Sequence, residues 1–458
     1  MTSESPEETA IGQVSTAGPG LRVSIPRVVK KNTVLLSTSQ TLYTMVAQIN
    51  VLLGAFMILG LTGDVTLAGL GTAIAWSGRL LIVYHSGILM DRLGRVKVLQ
   101  LGTGLSIAGA VIVAMSLLAN SLYGTVSGLV VYGLGVGATN QNRVAVADMF
   151  PTHRRGEGIG YLLTASVVGA LAATPYVFAG TWLAANLGYE TREEVWLRNP
   201  QAVLPYAAVL WITTIILLAA ATVLTAFVKP DPKSIAENLP RYYPREGQGH
   251  SLPLTGSPGN SVKVLSYPVL ATFAVSGLTQ GNMTMNMAFV PEVLHFHGAV
   301  IVIISTAITI HIIGMYGLSA LMGRWADKFG RRRILLLGAG ISAVGALITP
   351  LATDFWTTTL GIFLVGLGWS GATVASTALL SDMSRAGERG RVIGLNDFVL
   401  GAAALIFPIS GGMFLGPSRN FVALAAFGFL ASIPALLLGF FLREKKTDGT
   451  TTDAEFSG

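Results

Sequence analysis

Twelve runs of about 20 mostly apolar residues follow one another along this chain, separated by polar segments. Each run is long enough to cross the roughly 30 Å hydrocarbon layer of a bilayer as an α-helix. We number the runs spans 1 to 12 and predict them at residues 33–61, 65–88, 98–118, 122–147, 158–185, 203–228, 265–290, 299–322, 334–353, 357–381, 392–415 and 420–442. The pattern predicts an all-α membrane protein.

The polar segments divide the spans into two sets of six. The segment between spans 6 and 7 holds several prolines, glycines and mixed charges, so it is too polar to cross a membrane. We predict an N-terminal tail at 1–31, a six-helix bundle at 32–229, a linker at 230–263, a second six-helix bundle at 264–442 and a C-terminal tail at 443–458.

The composition agrees with a membrane protein. The 458 residues are 52% hydrophobic and only 12% charged, whereas soluble domains carry about 25% charged residues. The chain has no cysteine and no phosphate-binding glycine loop that ends in Lys-Ser or Lys-Thr. Glu292, His295 and His297 have the side chains of metal ligands, but we predict no metal site, no cofactor and no enzymatic activity.

The basic residues indicate which side of the membrane the tails occupy. If both tails lie in the cytoplasm, 25 of the 30 Lys and Arg residues lie on that side, and only Arg192, Arg198 and Arg419 lie on the other. This asymmetry is typical of cytoplasmic loops. We therefore predict a multi-pass protein of the plasma or inner membrane with both termini cytoplasmic. The net charge of +7 needs no nucleic-acid partner.

Two landmarks recur in the two halves. Residues 87–97 (GILMDRLGRVK) align with residues 323–333 (GRWADKFGRRR) at an offset of 236 residues, and residues 147–149 align with residues 381–383 at an offset of 234. Because the order and the predicted face are the same in both halves, the chain is interpreted as a duplicated six-span unit.

The string Gly-x-Leu-x-Asp-Arg-x-Gly-Arg-x-Lys between spans 2 and 3 resembles the signature of the major facilitator superfamily of secondary transporters. The resemblance implies two pseudo-symmetric bundles around a central cavity that opens alternately to either side. It also implies that the repeated motif forms a cytoplasmic latch, made of Gly87, Asp91, Arg92, Gly94, Arg95, Lys97, Gly323, Asp327, Gly330, Arg331 and Arg333. The alternative is that these charges only fix orientation.

Two family patterns are incomplete. Val131 stands where proton-coupled members usually carry an arginine in span 4. The Gly-Pro of the span 5 antiporter pattern is replaced by Ala173-Thr174-Pro175. Both departures weaken the interpretation as a drug/proton antiporter.

By the same resemblance, spans 1, 4, 7 and 10 line the cavity. Polar and aromatic residues recur at helical spacing in each of them, which supports this assignment. The predicted cavity residues are Gln40, Tyr43, Asn50, Tyr132, Asn140, Arg143, Gln280, Met283, Asn286, Trp369 and Thr373. The alternative is that these side chains bond neighbouring helices.

Ionisable residues inside spans are costly and therefore point to function. The predicted coupling residues are Asp397, His311 and Arg79; the alternative for each is a fixed contact between helices. Because spans 2 and 11 pack together in the family fold, Arg79 is the expected ion-pair partner of Asp397. Spans 1, 4, 7 and 10 have no acidic residue away from their cytoplasmic ends, so the candidates for a proton carrier are Asp397, marginally favoured, and His311. Arg143 is expected either to bind an anionic substrate group or to pair with Asp148.

These features predict a monomeric secondary transporter that moves a small organic solute across the lipid bilayer by alternating access, with protons as the coupling ion. Export of amphipathic compounds is slightly favoured by the complete motif between spans 2 and 3, the partial span 5 pattern, and a set of cavity residues that is mostly uncharged and contains methionine. The alternatives are a symporter or facilitator that imports a polar nutrient or organic anion, and a transporter-like ligand sensor.

Overall fold

The structure is a computed structural model that describes residues 25–151, 154–243, 266–383 and 389–442. Within these ranges the side chains of Val83, Tyr84, Asp91, Arg155, Glu193, Leu197, Asp327, Ser381, Arg389 and Arg391 are not described. Most of the two predicted tails, the linker from residue 244 onward, and the carboxylates of Asp91 and Asp327 in the repeated motif therefore lie outside the described part.

All twelve predicted spans are helical. They run through Arg27–Thr62, Leu70–Leu93, Arg95–Leu118, Leu122–Thr139 with Asn142–Asp148, Arg155–Asn186, Val203–Ala226, Tyr267–Phe296, Ile301–Ile312 with Ile313–Gly317 and Ser319–Phe329, Arg331–Leu351, Phe355–Met383, Arg389–Leu415 and Phe421–Phe440. The start of span 1 and the end of span 12 lie at the same end of the molecule. We call this end the tail side and the opposite end the far side.

Eleven helices in the described ranges are long and apolar enough to cross a membrane. Span 7 is also long, at 30 residues, but Gln280, Asn282 and Asn286 lower its mean hydropathy. It is nevertheless buried along most of its length, so neighbouring helices rather than lipid surround its polar side chains.

Two spans predicted to be continuous are interrupted. Span 4 stops at Thr139 and a short helix restarts at Asn142. Between them the Gln141 amide donates to the Ala138 carbonyl, three residues back instead of four, and Gln141 has ψ of 0°. Span 8 widens into a π-helical turn at Ile313–Gly317, a feature often found at functional sites. Both interruptions change the direction of the side chains that follow.

The turns between spans 2 and 3 and between spans 8 and 9 are equivalent in the two halves. Gly94 has φ of 95° and Gly330 has φ of 97°, a left-handed conformation that glycine adopts without the penalty of a Cβ atom. These glycines occupy the same place in the two copies of the repeated motif.

The two six-helix bundles meet along spans 2 and 11 and along spans 5 and 8. Close contacts join them toward the far side, where the Thr66 carbonyl touches Gly412 and the Thr174 hydroxyl lies 3.3 Å from the Ser305 hydroxyl. Phe56 of span 1 packs edge-on against His295 of span 7, with ring centroids 5.0 Å apart. The far side of the interface is thus closed by tight packing.

The described start of the linker packs beneath the first bundle. Helices Pro232–Glu237 and Leu239–Tyr242 place Ile235 in a buried cluster with Val98 and Met149. The Asp231 carboxylate accepts hydrogen bonds from the backbone amides of Arg95 and Val96 at 3.1 and 2.9 Å. It therefore caps the start of span 3, where an acidic group is favourable.

Candidate functional site: the central cavity

A cavity of about 230 Å³ lies between the two bundles. Spans 1, 2 and 4 form most of its wall on one side, and spans 7, 8 and 10 form the other. Eight of the predicted cavity residues lie on this wall: Gln40, Tyr43, Asn50, Tyr132, Asn140, Gln280, Met283 and Trp369.

Hydrogen bonds hold several of these wall residues in place. The Trp369 indole N–H donates to Gln280 Oε1 at 2.6 Å, which links spans 10 and 7. The Tyr43 hydroxyl lies 2.8 Å from the Thr103 hydroxyl, and Gln40 Nε2 donates to Ser166 Oγ at 3.2 Å. These contacts fix the orientation of amide and aromatic groups around the cavity.

Arg143 is not on the cavity wall, contrary to the sequence-based expectation. The helical stripe that leads from Tyr132 to Asn140 ends at the break in span 4, so it does not extend to Arg143. Instead, Arg143 Nη2 donates to Asp397 Oδ2 of span 11 at 3.3 Å. Asp148, its other expected partner, pairs with Arg95.

Asn286 and Thr373 are also absent from the wall. Asn286 is buried and donates to the backbone carbonyl of Asn282 at 2.9 Å, while Asn282 donates to Ser432 of span 12. These amides therefore join spans 7 and 12. Thr373 lies one helical turn beyond Trp369, and the wall contributed by span 10 ends at that tryptophan.

The predicted ion pair between Arg79 and Asp397 is wrong. The Arg79 guanidinium lies on the cavity wall, 4.0 Å above the centre of the Trp76 ring. Asp397 is bonded to Arg143 of span 4 instead.

Other wall residues belong to spans that the family resemblance did not assign to the cavity. Span 2 contributes Thr72, Trp76 and Arg79, whose spacing of four and three residues places them on one helical face. The same spacing was visible in the sequence. Span 8 adds Met315 and Tyr316 at its π-helical turn, which the sequence pattern did not reveal.

His311 lies in the packed core of the second bundle rather than on the cavity wall. Its side chain is fully buried, and Nδ1 is 2.6 Å from the Ile362 carbonyl. The backbone of Gly366 also lies against the ring. This close packing leaves little room for the ring to move or to gain solvent.

The repeated motifs form equivalent ion pairs on the tail side. Arg95 Nε lies 2.9 Å from Asp148 Oδ2, and Arg331 contacts Asp382 in the second half. Arg331 also donates to the Ala378 carbonyl at 3.1 Å. In the first half, the arginine at the start of span 3 thus binds the aspartate at the end of span 4. In the second half, the arginine at the start of span 9 binds the aspartate near the end of span 10.

The other motif residues are placed less distinctively. Arg92, Lys97 and Arg333 are exposed, and Gly87 and Gly323 have open space or loose contact where a Cβ would lie. Asp91 and Asp327 lie within helices, but their side chains are outside the described part.

The far side contains a second group of ionisable residues. Glu292 is 1% exposed, and one of its oxygens accepts from Arg419 Nε at 2.7 Å. His295 lies between the Phe56 ring and the Trp196 ring, with centroid distances of 5.0 and 6.2 Å. His297 is bonded through Nδ1 to the Val293 carbonyl, so these three residues do not converge on one point.

The family model described as Major Facilitator Superfamily matches residues 34–279 and 269–456. The chain therefore belongs to this superfamily of secondary transporters, and it is a multi-pass membrane protein. The two bundles and the cavity between them agree with that assignment.

Named relatives include proteins of the same class, and solved structures share the fold. The chain is 24% identical to YddS, an uncharacterised MFS-type transporter of Bacillus subtilis, over 83% of each chain. It is 22% identical to the riboflavin transporter RfnT of Brucella anthropi, over 81% of this chain and 85% of the relative. The fold is similar to that of a D-xylose–proton symporter, with a TM-score of 0.65, 16% identity, and coverage of 91% of this chain and 97% of the other.

Proposed function

We propose that this protein is a proton-coupled transporter that moves a small organic solute through the central cavity by alternating access. Both tails are proposed to lie in the cytoplasm, because 25 of the 30 basic residues then lie on that side. The membrane is proposed to be the plasma or inner membrane. Because the two halves of one chain enclose the cavity, a monomer is sufficient for transport.

The arrangement of contacts between the bundles supports alternating access. The far-side contacts described between the bundles are aromatic packing, such as Phe56 against His295, and contacts of uncharged polar groups, such as the Thr174 and Ser305 hydroxyls. Toward the tail side, by contrast, an ion pair joins Arg143 to Asp397. Rocking of one bundle against the other would open one set of contacts while closing the other.

The Arg143–Asp397 pair is the observation that carries the proposal of proton coupling. These two residues belong to different bundles, so opening the tail side would separate them. An aspartate that loses its cationic partner within the membrane binds a proton more readily. Asp397 is therefore the proposed proton carrier, whereas the packing of His311 makes it the weaker candidate.

The wall chemistry supports a neutral or anionic solute with an aromatic or apolar body. Among the described residues, no Asp or Glu lines the cavity, so no carboxylate there would balance the charge of a cationic drug. The sequence left two options open: export of amphipathic compounds, and uptake of a polar nutrient or organic anion. The chemistry of this wall favours the solute named in the uptake option.

Transport in proteoliposomes tests the proposal. A panel of cationic, neutral and anionic aromatic compounds would be supplied with and without an imposed proton gradient. We expect neutral or anionic compounds to move faster with the gradient, and the sign of net flux gives the direction. Binding without flux would instead indicate a ligand sensor. Equal flux with and without the proton gradient would indicate a facilitator.

A further inference from the structure

Among the described residues that line the cavity, Arg79 is the one cationic side chain. It sits on span 2, which is held close to span 4 by small residues. A Cβ at Gly137 would lie 3.1 Å from the Arg79 Cα, and one at Gly133 would overlap the Ala75 carbonyl. This close approach fixes the backbone that carries the guanidinium.

The charge of Arg79 has no acidic partner in the described ranges. No ion pair or hydrogen bond from its guanidinium is found there, and its buried Nε has no hydrogen-bond partner. The nearest candidate from the sequence, Asp397, is bonded to Arg143. A charge within a membrane protein is costly unless water or an opposite charge compensates it, so a bound anion would be favourable at this position.

The geometry around Arg79 favours a planar anion. The guanidinium lies over the Trp76 ring, and stacking engages the face of the guanidinium rather than its N–H edge. That edge has two parallel donors, which match the two oxygens of a carboxylate.

The rest of the wall suits a flat apolar body attached to that anion. Tyr316 and Trp369 meet edge to face with centroids 5.9 Å apart, and Met283, Met287 and Met315 also line the cavity. Aromatic rings and thioethers pack well against aromatic ligands. Gln280, which accepts a hydrogen bond from Trp369, adds a polar group from the second bundle, whereas Arg79 belongs to the first.

We propose that Arg79, stacked on Trp76, is the anion subsite of the central cavity and binds the carboxylate of a small aromatic substrate. This inference rests on the proposed transport function, because it names the substrate class of the same cavity.

Matched probes that differ only in charge test this subsite in the purified 458-residue chain. Binding of indole-3-acetate would be compared with indole-3-acetamide, and naphthalene-2-carboxylate with its carboxamide, by calorimetry and by thermal stabilisation in detergent. At least one carboxylate is expected to bind about tenfold or more tightly than its amide, as for a hydrogen-bonded charge pair.

Variants then assign the preference to Arg79. Arg79→Gln should reduce the carboxylate preference to about unity, whereas Arg79→Lys should retain part of it because the charge remains without the planar fork. Arg192→Gln is the matched control, since Arg192 pairs with Glu190 in an exposed far-side loop. If Arg79→Gln does not fold, the ratio of carboxylate affinity to amide affinity is compared between the wild type and Arg79→Lys. A lower ratio in Arg79→Lys supports the subsite, and an equal ratio contradicts it.

The inference is overturned if no carboxylate of the panel binds, if the amides bind equally well, or if Arg79→Gln keeps the preference. Flux measurements separate this outcome from failure of the proposed function. Arg79-dependent binding without gradient-driven flux would leave the subsite standing and refute proton-coupled transport. Gradient-driven flux without any preference for carboxylates would support proton-coupled transport and refute the anion subsite.

Discussion

Arg143 of span 4 donates from Nη2 to Oδ2 of Asp397 in span 11 at 3.3 Å, joining the two bundles on the tail side of the cavity. The Arg143 side chain is 60% exposed and that of Asp397 is 34% exposed. Ion pairs with side chains this exposed contribute about 0–1 kcal/mol. The pair is therefore weak enough to break during each transport cycle.

The first prediction concerns proton coupling. Asp397→Asn should lose gradient-driven flux but keep substrate exchange across proteoliposomes, because exchange needs alternating access and no net proton movement. His311→Gln should keep driven flux, since His311 is packed away from the cavity. Full driven flux in Asp397→Asn, or its loss in His311→Gln alone, would show that Asp397 is not the carrier.

The second prediction concerns the repeated tail-side pairs. The Arg95 and Asp148 side chains are only 13% and 18% exposed, and a hydrogen bond to a charged group contributes about 1.5–3 kcal/mol. Asp148→Asn should therefore reduce transport about tenfold or more while the protein still folds. Asp382→Asn should act in the same direction, as should Asp91→Asn on the sequence argument.

Glu237→Gln is a suitable control for the latch. Glu237 lies on the same side of the molecule and makes a loose, exposed pair with Lys233 at 3.9 Å. Wild-type flux in well-folded Asp148→Asn protein would contradict a role for the Arg95–Asp148 pair in the transport cycle.

The third prediction concerns the buried far-side pair. Arg419→Met would leave the Glu292 carboxylate buried without a partner, which should lower the free energy of unfolding by about 3–5 kcal/mol. The double variant Glu292→Gln with Arg419→Met should lose much less, because no unpaired charge remains. Denaturant titration in detergent measures both, and equal losses in the two variants would argue against this explanation.

The fourth prediction concerns the packing of spans 1 and 2. A Cβ at Gly71 would overlap the Gly54 carbonyl, whereas a Cβ at Gly104 would meet nothing within 4 Å. Gly71→Ala should therefore destabilise the protein by about 1–3 kcal/mol. Gly104→Ala should be neutral or stabilising by up to about 1 kcal/mol, because alanine favours helix. Equal unfolding temperatures for the two variants would show that the helices separate at little cost.

The sequence alone predicted the number and approximate positions of the twelve spans. It also predicted the repeat that places Gly94 and Gly330 in equivalent turns. These features are local, because a helix in a membrane satisfies its backbone hydrogen bonds within its own segment. Eight of the eleven predicted cavity residues lie on the wall, because the family resemblance indicated which spans line the cavity and the helical period indicated one face of each.

Only the tertiary structure decided which charged groups meet. The break after Thr139 changes the phase of span 4 and turns Arg143 toward Asp397, 254 positions away in the chain. Arg79 consequently has no acidic partner in the described ranges and stacks on Trp76 instead. Helical periodicity specifies a face, but the partner on that face depends on interruptions of the helix and on the packing of distant spans.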